Sequence, residues 1–184
     1  SVMRAVMLMF DTLSRGFLSP YGANPDLTPN FSRLAERCCT FDRFYGGSMP
    51  CMPARRELHT GRYNFLHRSW GPLEPFDYSC FQALDESGTY AHLVTDHSHY
   101  WEDGGATYHN RYSSWEGFRG QEGDRWAPRD VVEGLPAGMS PLQKAKGPSP
   151  LQHEANKSRQ PLEKDMSTVL TVGAGLDFLA SHAS

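Results

Sequence analysis

The stretch Cys51-Met52-Pro53-Ala54-Arg55-Arg56-Glu57-Leu58-His59-Thr60-Gly61-Arg62 has the residue types and spacing best suited to chemistry. A small reactive side chain stands just ahead of an expected helix start, and Pro53 is preset for the first helical turn. Backbone N–H groups and the helix dipole stabilise negative charge at such a position. Arg55 and Arg62 add fixed positive charge, and the guanidinium fork suits a tetrahedral oxyanion. A nucleophile at an anion-binding helix start, flanked by arginines, fits attack on a sulfate or phosphate ester. The competing reading is a buried structural cysteine beside surface arginines, since free thiols are often buried.

Two further groups carry reactive side chains. Asp11 closes the apolar run Ala5–Phe10, and ligands of open α/β sheets bind at the carboxyl ends of the strands. The plainer alternative for Asp11 is a local cap or pair. Asp96-His97-Ser98-His99 follows another apolar stretch, so it reaches the same edge of a sheet. Alternation in an extended segment would put His97 and His99 on one side. Three roles stand open for them: contacts to substrate, a zinc site shared with His109, or structural histidines. The zinc spacing matches no familiar pattern. Trp101, Tyr108, Tyr112 and Trp115 read as packing residues, with the wall of a substrate pocket as the alternative.

The elements that must position these groups can be traced along the chain. Ala5–Phe10 is a continuous apolar run that predicts a buried parallel strand. Thr28-Pro29 predicts a helix start, followed by Phe31, Leu34, Ala35 and Cys38 on one helical face. Cys39–Tyr45 predicts a second strand broken by Gly46-Gly47, and the helix opened by Pro53 ends by Gly61. Ser79–Glu86 predicts a helix and Tyr90–Thr95 a strand. This order implies an α/β fold, a mainly parallel sheet flanked by helices. From about 102 to 165 the pattern fails, predicting an irregular excursion with a flexible later part. Met166–Leu179 recovers a helical period. We expect one domain over 1–184, the N-terminal portion of a larger catalytic domain, with an exposed apolar edge where the remainder packs.

Composition sets the outer bounds. A formal net charge of −3 over 184 residues excludes a protein that works by coating nucleic acid. No apolar run approaches the roughly 20 residues needed to span a bilayer, so no membrane role is expected. Cys38, Cys39, Cys51 and Cys80 form no CxxC pair and no secreted-type framework. Reduced thiols in the cytoplasm are the simplest expectation, a removed leader aside.

Cys51-x-Pro53-Ala54-Arg55, with Leu58 and Thr60-Gly61-Arg62 at the same register, resembles the signature of the sulfatase family. Phe10-Asp11-Thr12 and Leu27-Thr28-Pro29-Asn30-Phe31 sit where sulfatases have their counterparts, and the resemblance covers roughly Met3 to Trp101. It implies an alkaline-phosphatase-like fold and hydrolysis of a small-molecule or sugar sulfate ester. It implies oxidation of Cys51 to formylglycine, whose hydrate attacks sulfur with one hydroxyl and expels sulfate with the second. Arg55 would hold the hydrate. His97 and His99 would contact it and the transferred group, in place of a Lys-x-His pair. Asp11 and residue 51 would bind a divalent cation, Ca²⁺ first, with Mg²⁺ or Mn²⁺ as alternatives; a carboxylate suits such a hard ion. Thr12 stands where many sulfatases have a second Asp, a departure shared with phosphonate and phosphodiester hydrolases of the superfamily. The remaining family ligands have no counterpart past Arg111, so these 184 residues alone are expected to be inactive. A phosphodiester or phosphonate monoester hydrolase and an inactive homologue that binds anionic ligands are the rival expectations.

Overall fold

A computed structural model describes residues 4–102, 104–105, 107–130, 132–134, 137–139 and 149–183. Its helices are α1 (Pro29–Ala35), α2 (Cys51–Thr60), α3 (Cys80–Glu86), α4 (Ser149–Ser158) and α5 (Ser167–Ser181). Strands β1 (His92–Thr95) and β2 (Ser114–Gly117) pair in parallel, with His92 opposite Ser114 and Thr95 opposite Gly117. The architecture is α/β in this coarse sense, helices around a two-stranded parallel sheet. No helix among the described residues is long and apolar enough to cross a membrane.

Local chemistry explains the helix limits. Pro29 opens α1 behind Thr28, and the Ser79 hydroxyl accepts the Phe81 N–H at the start of α3. Gly61 ends α2 in the left-handed conformation at φ 66°, with its N–H on the Glu57 carbonyl. Helix α2 begins at Cys51 itself, two residues before the proline expected to open it.

Two expected strands are corrected. Ala5–Phe10 forms no ladder, and Val6 to Phe10 are 43–67% exposed. An apolar run reads as a buried strand, but a strand needs a hydrogen-bonded neighbour, and β1 pairs with β2 instead. Cys39–Tyr45 is likewise without a ladder; its carbonyls take single side-chain bonds, from Tyr21 to Phe41 and from Arg15 to Asp42. Within the expected irregular excursion lie β2 and α4, too short and too polar to announce themselves. Its expected flexible part falls partly on 135–136 and 140–148, outside the described residues.

The core forms around α2. Met52, Leu73, Tyr100 and Tyr108 are buried together, with Leu93 and Trp101 packed against them. Tyr108, fully buried, shares its hydroxyl between the Met52 and Gly71 carbonyls at 3.2 and 3.1 Å, tying the core to the first turn of α2. Packing therefore accounts for Tyr108 and Trp101, whereas Trp115 stays 44% exposed. The accessible surface is 12869 Å² for 20.7 kDa. A compact chain of that mass exposes about 9000 Å².

His59 lies on the inward face of α2, 2.9 Å from the Ser79 hydroxyl and edge-on to Phe81, Tyr108 and Tyr112. Burial, helped by the charges of Arg55 and Arg111, pushes its imidazole down to about 4. The folded state thus binds this proton less readily than the unfolded chain. Stability is full above the unfolded value near 6.5 and falls with acidification toward about 4, by up to ~1.4 kcal/mol per pH unit. Melting between pH 7 and 4.5 should show this slope, and His59→Gln should reduce it, because buried His97 keeps a slope of the same sign.

Candidate active site

Helix α2 presents Cys51 at its first position, half-buried, where unpaired N–H groups and the helix dipole favour negative charge. The thiol is nevertheless pushed up: burial dominates and the Asp11 charge adds to it, against the Met52 and Cys51 amides and Arg55. A thiol raised in this way is protonated at neutral pH and is a poor thiolate nucleophile.

Three elements converge on it. From the N-terminal segment comes Asp11, whose carboxylate accepts the Thr12 hydroxyl at 3.1 Å. Thr12 is held at φ 61°, a left-handed conformation that costs a β-branched residue about 1–3 kcal/mol and is typical of functional loops. From α2, one turn after Cys51, comes Arg55. Its guanidinium lies 5.4 Å from the Tyr100 ring centre, one terminal nitrogen is 3.1 Å from the Met9 sulfur, and its Nε is buried without a partner. Among the described residues Arg55 has no ion-pair carboxylate.

From the loop after β1 comes His97, whose side chain is 3% exposed and whose ring nitrogens both lack hydrogen-bond partners. Its Nδ1 is 3.9 Å from the Asp11 carboxylate. Burial first, then Arg55 and His99, pushes the imidazole down to about 3, so this contact joins a neutral ring to a carboxylate rather than forming an ion pair. His99 stands beside it at 5.2 Å between ring centres and edge-on to Trp70 at 4.8 Å. Its Nδ1 is 2.8 Å from the Glu102 carboxylate, off the line of a hydrogen bond. The pair does not alternate along an extended segment as expected, because Ser98–Trp101 is a 3-10 turn.

The structure thus groups Asp11, Cys51, Arg55, His97 and His99, and it separates Arg62 from them. Arg62 is exposed beyond the far end of α2, about 15 Å along the helix from Cys51. Three neighbours escape a reading of the sequence. Tyr100 is buried at 2% exposure, 5.0 Å from the His97 ring and facing the Arg55 guanidinium with its ring; burial pushes its hydroxyl up, against the charge of Arg55. Glu57 accepts the Gly47 and Asn64 N–H groups at 3.0 and 2.9 Å, clamping the loops on both sides of α2. A side chain at Gly47 would sit 2.5 Å from Tyr63 and 2.7 Å from Glu57, so this close approach needs glycine. Arg56 faces away from Cys51, into a buried pair with Asp77. Only Tyr100, next in sequence to the His-Ser-His run, carried a signal that could have found it.

A cation cage is a different matter. Among the described residues no group of three or more His, Cys, Asp or Glu side chains is arranged to hold a metal ion, which also sets aside zinc on His97, His99 and His109. Asp11 supplies one carboxylate where a hard cation takes about six oxygen ligands, so these residues do not by themselves fit one. All four cysteines are free.

Comparison with known proteins adds one finding. Searches of curated proteins and of solved structures gave no match. The profile of the family described as Sulfatase matches residues 4–122, which span Asp11, the whole of α2, and both histidines. The chain belongs to the sulfatase family.

Proposed function

We propose that this protein is a sulfuric ester hydrolase that works through a formylglycine derived from Cys51. The observation that supports it most is the Arg55 guanidinium beside Cys51 in α2, with its Nε buried and unpartnered and no ion pair among the described residues. Family membership supports hydrolysis of sulfate esters in general terms. When formed, the formylglycine supplies, as its hydrate, an attacking hydroxyl and a second one for release of sulfate. Arg55 donates hydrogen bonds to the anionic oxygens and offsets their charge. His97, neutral at physiological pH, offers one N–H and one lone pair to the transferred group rather than a cationic acid. The raised Cys51 thiol argues against chemistry by the unmodified cysteine.

The deciding experiment is mass spectrometry of the tryptic peptide Phe44–Arg55 after expression with a formylglycine-generating enzyme. The aldehyde is expected, lighter than the thiol and trapped by a hydrazide; a thiol throughout the sample counts against the mechanism.

The divalent cation belongs to the same proposal, with Ca²⁺ first and Mg²⁺ or Mn²⁺ as alternatives. Its remaining ligands would come from a further segment of the same protein, packing on the exposed strip Val6–Phe10 beside Asp11. The large exposed surface and that apolar strip support this reading. The chain of 184 residues is then expected to show no rise in melting temperature with about 1 mM Ca²⁺. A site with Kd ten times lower would add about 1.4 kcal/mol, a shift of roughly 3–6 °C.

Thr12 favours a second reading, hydrolysis of a phosphodiester or phosphonate monoester. Parallel assays of an aryl sulfate and an aryl phosphodiester on the protein with its full ligand set separate the two. Cys51 left unmodified beside a competent maturation enzyme would favour an inactive homologue that binds anions. A cytoplasmic location remains part of the proposal, supported by four free thiols.

A further inference from the structure

We propose that Asp96 and Ser167 are positioning residues for the His97/His99 pair, with α5 acting as a splint along β1. The inference builds on the reading of these histidines as contacts to substrate. It concerns a helix that lies outside the family match, which ends at residue 122.

The argument starts from His97. A histidine is normally oriented by what its ring nitrogens bond, but both nitrogens of His97 are buried and unpartnered. Its place must be set by packing and by the backbone around it. That backbone has three anchors. The His97 N–H donates to the Thr95 hydroxyl at 3.1 Å, and the Ser98 N–H donates to the Gln121 side chain at 3.2 Å. Between them, one Asp96 carboxylate oxygen accepts the Ser167 hydroxyl at 3.0 Å and the Thr168 hydroxyl at 3.4 Å. Ser167 is buried at 6% exposure, and both hydroxyls sit in the first turn of a 15-residue helix. There the helix dipole also favours the Asp96 carboxylate.

At its other end α5 is fixed again. Phe178 stacks on His92 at 4.2 Å and on His182 at 4.1 Å, and the His182 ring is 6.4 Å from Tyr90. The two spans agree in length. Four strand residues from His92 to Asp96 cover about 13 Å, and eleven helical residues from Ser167 to Phe178 cover about 16 Å. Both ends can therefore hold together, and the start of the histidine loop is tied to a rigid rod.

The test is hydrogen exchange and sulfate titration on the purified protein. Ser167→Ala is expected to speed amide exchange over His97–Trp101 about tenfold and weaken inorganic sulfate binding about tenfold, the scale of one net hydrogen bond. Exchange in α2 should stay unchanged, and Ser167→Thr should restore both quantities. Wild-type exchange and affinity in Ser167→Ala would overturn the proposal, as would a uniform rise that includes α2. Faster loop exchange in the variant, with no saturable sulfate binding even by the wild type, supports the anchor and overturns the reading of Arg55 and the two histidines as an anion site sufficient by itself.

Discussion

Arg56→Ala is expected to destabilise the protein by about 3–5 kcal/mol, the cost of stranding one partner of a buried ion pair. Arg56 donates Nε and a terminal nitrogen to the two Asp77 oxygens, each at 2.8 Å, and its other terminal nitrogen to the Asn64 side chain at 3.3 Å. The two side chains are 3% and 0% exposed. Burial alone would raise the Asp77 carboxyl, yet the bonds from Arg56 and from the Glu74 N–H hold it below the ordinary carboxylate range. In Arg56→Ala the two bonds from Arg56 vanish while the carboxylate stays buried. Melting by circular dichroism should show the loss, largest at neutral pH, where Asp77 is fully charged. Acidification through the carboxylate range should narrow the gap, because protonation removes the buried charge in the variant. The double replacement Arg56→Met with Asp77→Leu should recover much of the stability. A loss below about 1 kcal/mol would mean that water reaches Asp77, as at an exposed pair.

The second large effect is an absence: these 184 residues, purified alone with Cys51 fully converted to the aldehyde, are expected to give no turnover of an aryl sulfate. The reason is electrostatic. Charge develops on the transferred group and on the leaving oxygen, and positioned cations and donors lower that barrier by several kcal/mol, at about tenfold in rate per 1.4 kcal/mol. Arg55 and His97 supply part of this. The described residues hold no group of three metal-binding side chains, and Asp11 is the one carboxylate beside Cys51. Turnover above background, lost on Cys51→Ala, would show that the site is complete as it stands and that no further segment brings ligands. Cys51→Ala should itself fold normally, because residue 51 is only half-buried.

The residues that the structure groups into the candidate site were legible because their signals are local. A small residue two before a proline, with Arg55 one turn on and Gly61 closing the helix, encodes α2 through capping and backbone preference alone. The His97/His99 pair was visible for the same reason, although the 3-10 turn that seats it was not. What failed were statements about partners. Ala5–Phe10 is apolar enough for a buried strand, but pairing depends on which segment lies alongside, and a run of hydrophobic residues does not say. Strand β2, with the sequence SWEG, is legible only once β1 is known to lie beside it. Arg56 and Arg55 are adjacent and chemically identical. The helical step between them sends one into the Asp77 pocket and the other beside Cys51.

The tie between Asp96 and Ser167 also has a consequence for biosynthesis, because 71 positions of chain separate its two halves. At a translation rate of about 5–20 residues per second, the ribosome needs roughly 4–14 s after Asp96 before Ser167 is made. Through that interval the nascent β1 waits with its helix seat bare, while Val6–Phe10 already stands in solvent. The tie therefore closes only after everything from β1 to α4 has been made. Yield in a host cell should respond more to chaperone supply and elongation speed than to changes in final stability.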